Sequence, residues 1–191
     1  MQQNSFGCLG LMASFLIFQF LIQSILHPSQ KLSTQSRVNY DSFGKIKIGM
    51  TVAQAEKAGN IKLLQLNGNP NKKEGCFYME PESGTGLFQV RFMVVNGRIT
   101  TFEIGSNPNI YTQVGVNTGT PENDLRFLYG FQNVLVLSDK ALKKRYLIYF
   151  PPKAKNYRLI FESNGTYATR FKAGKLPEVT YPHGCASYLK I

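Results

Sequence analysis

"VVNGRITTFEIG" runs from Val94 to Gly105 and places Asn96-Gly97 between two runs of alternating apolar residues. That pairing is the strongest local signal for a two-residue hairpin, because both positions of a type I′ turn need positive φ. A second stretch, "ESNGTYATRFKAG" from Glu162 to Gly174, repeats the arrangement around Asn164-Gly165, 68 residues on. Upstream, "CFYMEP" ending at Pro81 matches "YLIYFPP" with Pro151, at a spacing of 70. Gly49-Met50-Thr51 matches Gly119-Thr120-Pro121, again 70 apart. Three landmarks recurring in one order at nearly one spacing indicate a tandem duplication.

Each copy opens on a short helix. In "KIKIGMTVAQAEKAG", Lys45 to Gly59, Thr51 is the expected N-cap, Gln54 completes a capping box, and Gly59 is the expected left-handed stop. In the second copy Thr120 is the expected cap, Pro121 the first helical residue, and the helix ends near Gly130. Gly49 and Gly119 stand outside any G-x-x-x-x-G-K-[ST] or G-x-G-x-x-G pattern, so they start helices and hold no phosphate. Strands are expected near 75–80, 87–95 and 98–104, then 145–150, 157–162 and 166–172. Phe88, Val90, Phe92 and Val94 should share one face, as should Tyr167, Thr169 and Phe171. The expected class is α+β, with repeats at 43–110 and 111–191, each a helical layer on an antiparallel sheet.

The chain holds 22 Lys and Arg against 11 Asp and Glu, and none of them precedes Lys31. From Phe6 to Leu26 the 21 residues contain no ionisable group except Cys8, about the ~20 needed to cross a bilayer core. Residues 1–27 therefore read as a membrane anchor or uncleaved signal segment, with a cleaved signal as the alternative. Residues 28–42 read as a polar tether. Lys31 and Arg37 follow the apolar segment, which by the positive-inside rule puts the remainder in the cytoplasm. The cysteines point the other way. Cys76 and Cys185 are the only two beyond the anchor, and a disulfide between them places the folded part outside the cytoplasm. Two buried thiols in a cytoplasmic protein are the alternative. His27 and His183 are the only histidines, so a zinc site is not expected, nor any other metal or cofactor.

Asp139 to Arg158 carries seven cations, Lys140, Lys143, Lys144, Arg145, Lys153, Lys155 and Arg158, against one acid. Interleaved with Tyr146, Tyr149 and Tyr157, they suit an anionic partner, or else form a solvated rim. For an exported protein a membrane surface or an acidic protein fits better than nucleic acid. An enzymatic alternative rests on His183 beside Cys185, and the disulfide would consume that thiol. Glu80 and Glu82 flank Pro81 in an expected turn and read as solvated. No catalytic residue and no small-molecule substrate are expected.

The pattern G-[MT]-[TP]-x-x-x-[AL] opening a helix, followed by an antiparallel sheet with an Asn-Gly hairpin and repeated in tandem, resembles the fold of the beta-lactamase inhibitor protein and of the outer-membrane assembly lipoprotein BamE. "AGKLPEVTYPHGCA", Ala173 to Ala186, is similar to the end of uncharacterised secreted bacterial proteins of this type. The resemblance spans about residues 43–187. It implies export to the cell envelope, no catalysis, and a sheet surface that holds another protein. The expected function is a membrane-anchored envelope module that binds a protein partner. The alternative is a structural or assembly factor held to anionic membrane or wall by its basic face.

Overall fold

A computed structural model describes residues 31–66, 75–139 and 144–188. The expected anchor, the first residues of the tether, Lys140 and Lys143 lie outside these residues. Among the described residues no helix is long and apolar enough to cross a membrane.

Antiparallel sheet is the main regular structure of the described residues. Helix α1 (Val52–Gly59) precedes strands β4 (Leu63–Leu66), β5 (Cys76–Pro81), β6 (Val90–Val95) and β7 (Arg98–Ile104). Helix α2 (Glu122–Tyr129) precedes β9 (Val134–Asp139), β10 (Lys144–Tyr149), β11 (Tyr157–Ser163) and β12 (Ala168–Lys175). These eight strands form one sheet in the order β4-β5-β6-β7-β12-β11-β10-β9, so the second set runs in mirror order to the first. The short strands β1 (Arg37–Val38), β2 (Ser42–Phe43), β3 (Ile46–Lys47) and β8 (Tyr111–Thr112) make a separate four-stranded sheet. From Lys31 onward the chain is one compact unit. The large sheet joins the two expected repeats, because β7 and β12 pair antiparallel.

The glycine motif does in both places what the chain direction requires. Gly49 has φ +91° and Gly119 φ +103°, conformations that cost glycine no Cβ clash. The bend lets the residues before each helix bond to the hairpin that follows. Gly49 N–H donates to Ile99 O at 2.8 Å, and Ile99 N–H to Met50 O at 2.9 Å. In the second half Gly119 N–H donates to Ala168 O at 2.7 Å, and Ala168 N–H to Thr120 O at 2.9 Å. Seven positions into each motif a side chain enters the core: Ala55 from α1 and Leu125 from α2, both fully buried.

The helix ends differ from expectation in three ways. Thr51 and Gln54 do form the capping box, with Gln54 N–H donating to Thr51 Oγ1 at 3.3 Å and Thr51 N–H to Gln54 Oε1 at 2.9 Å. The left-handed stop, however, is Asn60 at φ +46°; Gly59 is still helical and lies where a Cβ would crowd Ile46. At α2 the cap is Pro121, which has no side-chain acceptor. Thr120 lies one residue too early and instead donates its hydroxyl to Asn117 Oδ1 at 2.8 Å.

The hairpins also diverge. Asn96 and Gly97 have φ +49° and +75°, as a two-residue turn of this kind requires. Asn164 does not share that geometry. Its Oδ1 accepts from Thr166 and Tyr167 N–H, and β12 starts only at Ala168. A register shift at Glu162/Ser163 adds one residue, so Ala168, Phe171 and Ala173 face the core and the expected set Tyr167, Thr169 and Phe171 does not share a face. Val90, Phe92 and Val94 are buried together. Phe88 is exposed, since Gln89 at φ +56° breaks the alternation before the strand begins.

The core lies between the sheet and the helices. Phe92, Phe102, Phe161 and Phe171 from the sheet meet Phe43 and Ile46 from the small sheet, and Ala55 and Leu125 from the helices. Residues 31–42, expected as tether, belong to this unit: Leu32 and Val38 are buried, β1 pairs with β2, and β1 runs parallel to β8. The two edge strands β4 and β9 were not anticipated.

Candidate functional site

Alternation along the strands sends every second residue to the sheet face opposite the helices. One row crosses six strands in register: Arg91 on β6 opposite Glu103 on β7, then Lys172 on β12, Ile160 on β11, Ile148 on β10 and Leu135 on β9. A second row runs Arg170, Glu162, Tyr146, Leu137. The face is therefore charged over the middle strands β6, β7, β12 and β11 and apolar toward β9.

The C-terminal segment crosses the charged part. After β12 the chain turns through Glu178–Thr180, and the described residues close with the short helix α3 (Cys185–Tyr188). Cys185 is bonded to Cys76 of β5, with Cα atoms 5.2 Å apart, as the cysteine count anticipated. Met93, Val95 and Cys185 are buried together under Tyr78 and Tyr181, a small apolar cluster separate from the main core. Gly184 lies so close to Tyr78 that any side chain there would overlap its hydroxyl. The crossing leaves a groove of about 650 Å³, walled on one side by Tyr181–Gly184 and floored by Arg91, Glu103, Arg170 and Lys172.

Burial sets the electrostatics of the floor. The Tyr78 hydroxyl donates to Glu103 Oε1 at 3.0 Å. Burial pushes the Glu103 carboxyl above the ordinary glutamate value, against the pull of Tyr78, Lys172 and Arg91. It pushes Tyr78 up as well, with the Glu103 charge adding to the effect. Burial also lowers Lys172, whose Nζ donates to Tyr181 O at 2.8 Å and so ties the tail to the sheet. Around the rim Arg91 pairs with Glu80 at 2.9 Å, and Glu162 receives Lys144 at 3.2 Å and Arg170 at 3.5 Å.

Because Glu103 binds its proton more tightly folded than unfolded, its contribution to stability is complete below the ordinary glutamate pKa. That contribution is lost as pH rises through the higher folded value. Urea unfolding from pH 4 upward should show this loss in the wild type and its absence in Glu103→Gln, which still accepts from Tyr78. A difference between the two proteins that does not vary with pH would contradict the assignment.

Among the described residues of the expected basic patch, the cations of β10 divide between two faces. Lys144 and Arg145 point to opposite faces of β10: Lys144 pairs with Glu162 on the open face, and Arg145 pairs with Glu122 of α2 at 3.0 Å. Lys153 and Lys155 are exposed on the β10–β11 loop, and Arg158 lies over the Phe150 ring at 4.2 Å. Tyr149 and Tyr157 pack on Tyr129 and Tyr40. His183 lines the groove, and Cys185 carries no free thiol. Among the described residues no cluster of three His, Cys, Asp or Glu stands where it could hold a metal. Sequence reasoning missed Tyr78, Arg91, Glu103, Arg170 and Lys172. The alternation of polar with core residues in "VRFMVV" and "RITTFEI" carried part of the signal, but only the pairing register brings them together.

No protein-family model matches the chain, and no curated protein matches it. Among solved structures it is similar to the crystal structure of the uncharacterized protein yfeY from Escherichia coli. The two are 14% identical, the match covers 73% of this chain and 99% of that one, and the TM-score is 0.48. A likeness that distant bears on neither fold family nor function.

Proposed function

We propose that this protein is a non-enzymatic binding module of the cell envelope, carried by its apolar N-terminal segment, which holds a protein partner on the open face of the eight-stranded sheet. The observation that carries the reading is the six-strand row from Arg91 to Leu135. It offers a partner fixed, partly desolvated charges at one end and exposed aliphatic surface at the other. Protein contacts combine such an apolar centre with polar groups that set register. The element order helix-then-four-strands, present twice with the same glycine turns, supports the duplication and the resemblance to the inhibitor and BamE folds. The disulfide supports a compartment outside the cytoplasm. Lys144 and Arg145 leave β10 on opposite faces, so at that point the basic stretch offers no single face for a membrane or wall.

A photo-crosslinking amino acid at Ile148, on the open face, should yield a discrete adduct in intact cells. The same group at Lys57, on the exposed side of α1, should yield none. Equal labelling from both positions, or none from Ile148, would refute the proposal.

A further inference from the structure

One end of the second half carries an exposed apolar cluster that the binding face does not use. The last turn of α2 and the short turn after it present Phe127, Leu128 and Phe131, with Phe127 72% exposed. Phe150 joins them: its N–H donates to Asn133 O at 2.9 Å, and Tyr129 packs on Tyr149 with ring centroids 4.4 Å apart. These two contacts bring the end of α2 and the start of the β10–β11 loop to the same end of the sheet.

Cations surround the rings. Arg126 lies over Phe131 at 4.8 Å and Arg158 over Phe150 at 4.2 Å, while Lys153 and Lys155 are exposed on the adjoining loop. The acids of α2, Glu122 and Asp124, are in its first turn, away from the cluster, and Glu122 is paired with Arg145. Exposed Phe and Leu side chains collared by Arg and Lys are the composition of a surface that inserts shallowly among acyl chains while its cations meet headgroup phosphates.

We propose that this tip, Phe127, Leu128, Phe131 and Phe150 with Arg126, Lys153, Lys155 and Arg158, docks on an anionic lipid bilayer. Two observations favour lipid over nucleic acid. One face of each of two rings is already taken by an arginine, which removes stacking surface that a base would need. Leu128 contributes aliphatic surface that matches acyl chain and has no base to read. The 21-residue apolar run from Phe6 to Leu26 gives the chain its own reason to be at a membrane.

The chain contains no tryptophan, so a single substitution makes a site-specific reporter. Phe131→Trp and, as control, Phe88→Trp, exposed in the first half, are made in the full chain. Both are read by fluorescence with vesicles of phosphatidylcholine alone or with added phosphatidylglycerol, the acyl chains brominated. The expected result is a blue shift and several-fold stronger quenching for Phe131→Trp in the anionic vesicles. Adding Lys153→Gln and Lys155→Gln should return it to the phosphatidylcholine level, and Phe88→Trp should stay unquenched. Equal quenching of the two reporters, or quenching indifferent to lipid charge, would overturn the proposal. So would a blue shift of Phe131→Trp that grows with protein concentration without lipid, which would mark the tip as a contact between copies. Both substitutions replace exposed rings, and unchanged far-ultraviolet circular dichroism checks that each protein is folded.

Discussion

Replacing Cys76 or Cys185 by serine is expected to lower the unfolding free energy by about 4–5 kcal/mol, and replacing both to lower it no further. The magnitude follows from loop length: the bond joins residues 109 apart, and an unfolded chain without that crosslink gains the full entropy of the open loop. Non-additivity follows because either substitution removes the same bond. The position of the bond adds a local effect. Cys185 fastens the tail over Met93 and Val95, so its loss also uncovers that small cluster and frees the groove wall at Tyr181–Gly184. Equilibrium urea unfolding of the two single variants and the double variant is the measurement. Two single losses that sum in the double variant would show that the cysteines contribute separately.

Phe102→Ala should cost about 3–5 kcal/mol. The ring is fully buried at the centre of the core, edge-on to Phe92 with centroids 5.5 Å apart and 6.4 Å from Phe43. It joins the large sheet to the small one, so the vacated space lies between two layers that do not collapse together readily. Phe127→Ala is the comparison, because a ring 72% exposed on α2 should change stability by no more than about 0.5 kcal/mol. Similar losses in thermal or urea unfolding for the two would mean that the core is not where the packing puts it.

Local signals carried much of the fold. Asn96-Gly97, the Thr51/Gln54 box and the glycines at 49 and 119 each act within a few residues of themselves, and each is legible without knowledge of the rest. The disulfide was legible for a different reason, since two cysteines allow one pairing. What escaped depends on long-range register. The edge strands β4 and β9 were missed although "LLQL" runs straight into Asn67-Gly68, a turn signal that went unused; "VLVLSD" gains its identity as a strand from pairing with β10. The extra residue on β12, Thr169 opposite Glu162/Ser163, reversed the face assignment around Tyr167, and nothing local marks it. The basic stretch misled because proximity in sequence along a strand is not proximity on a surface: Lys144 and Arg145 are neighbours in the chain and lie on opposite sides of the sheet. The half-buried Glu103 and Lys172 come from strands far apart in sequence, and only the pairing of β7 with β12 makes them neighbours.

That pairing also dictates an order of assembly. The described pairs β6–β7 and β11–β12 are local hairpins that close quickly, whereas joining Ile104 to Phe171 and Thr101 to Gly174 must bring distant segments together. Gly174 permits the approach only because it has no side chain to meet the Thr100 carbonyl. Until β12 exists, β7 presents an open row of donors and acceptors beside a half-formed core, the template on which strands from other chains add. The vulnerable species for this protein is thus the nascent chain holding only its first half. Its hazard ends not when the helices form but when the last long strand completes the middle of the sheet.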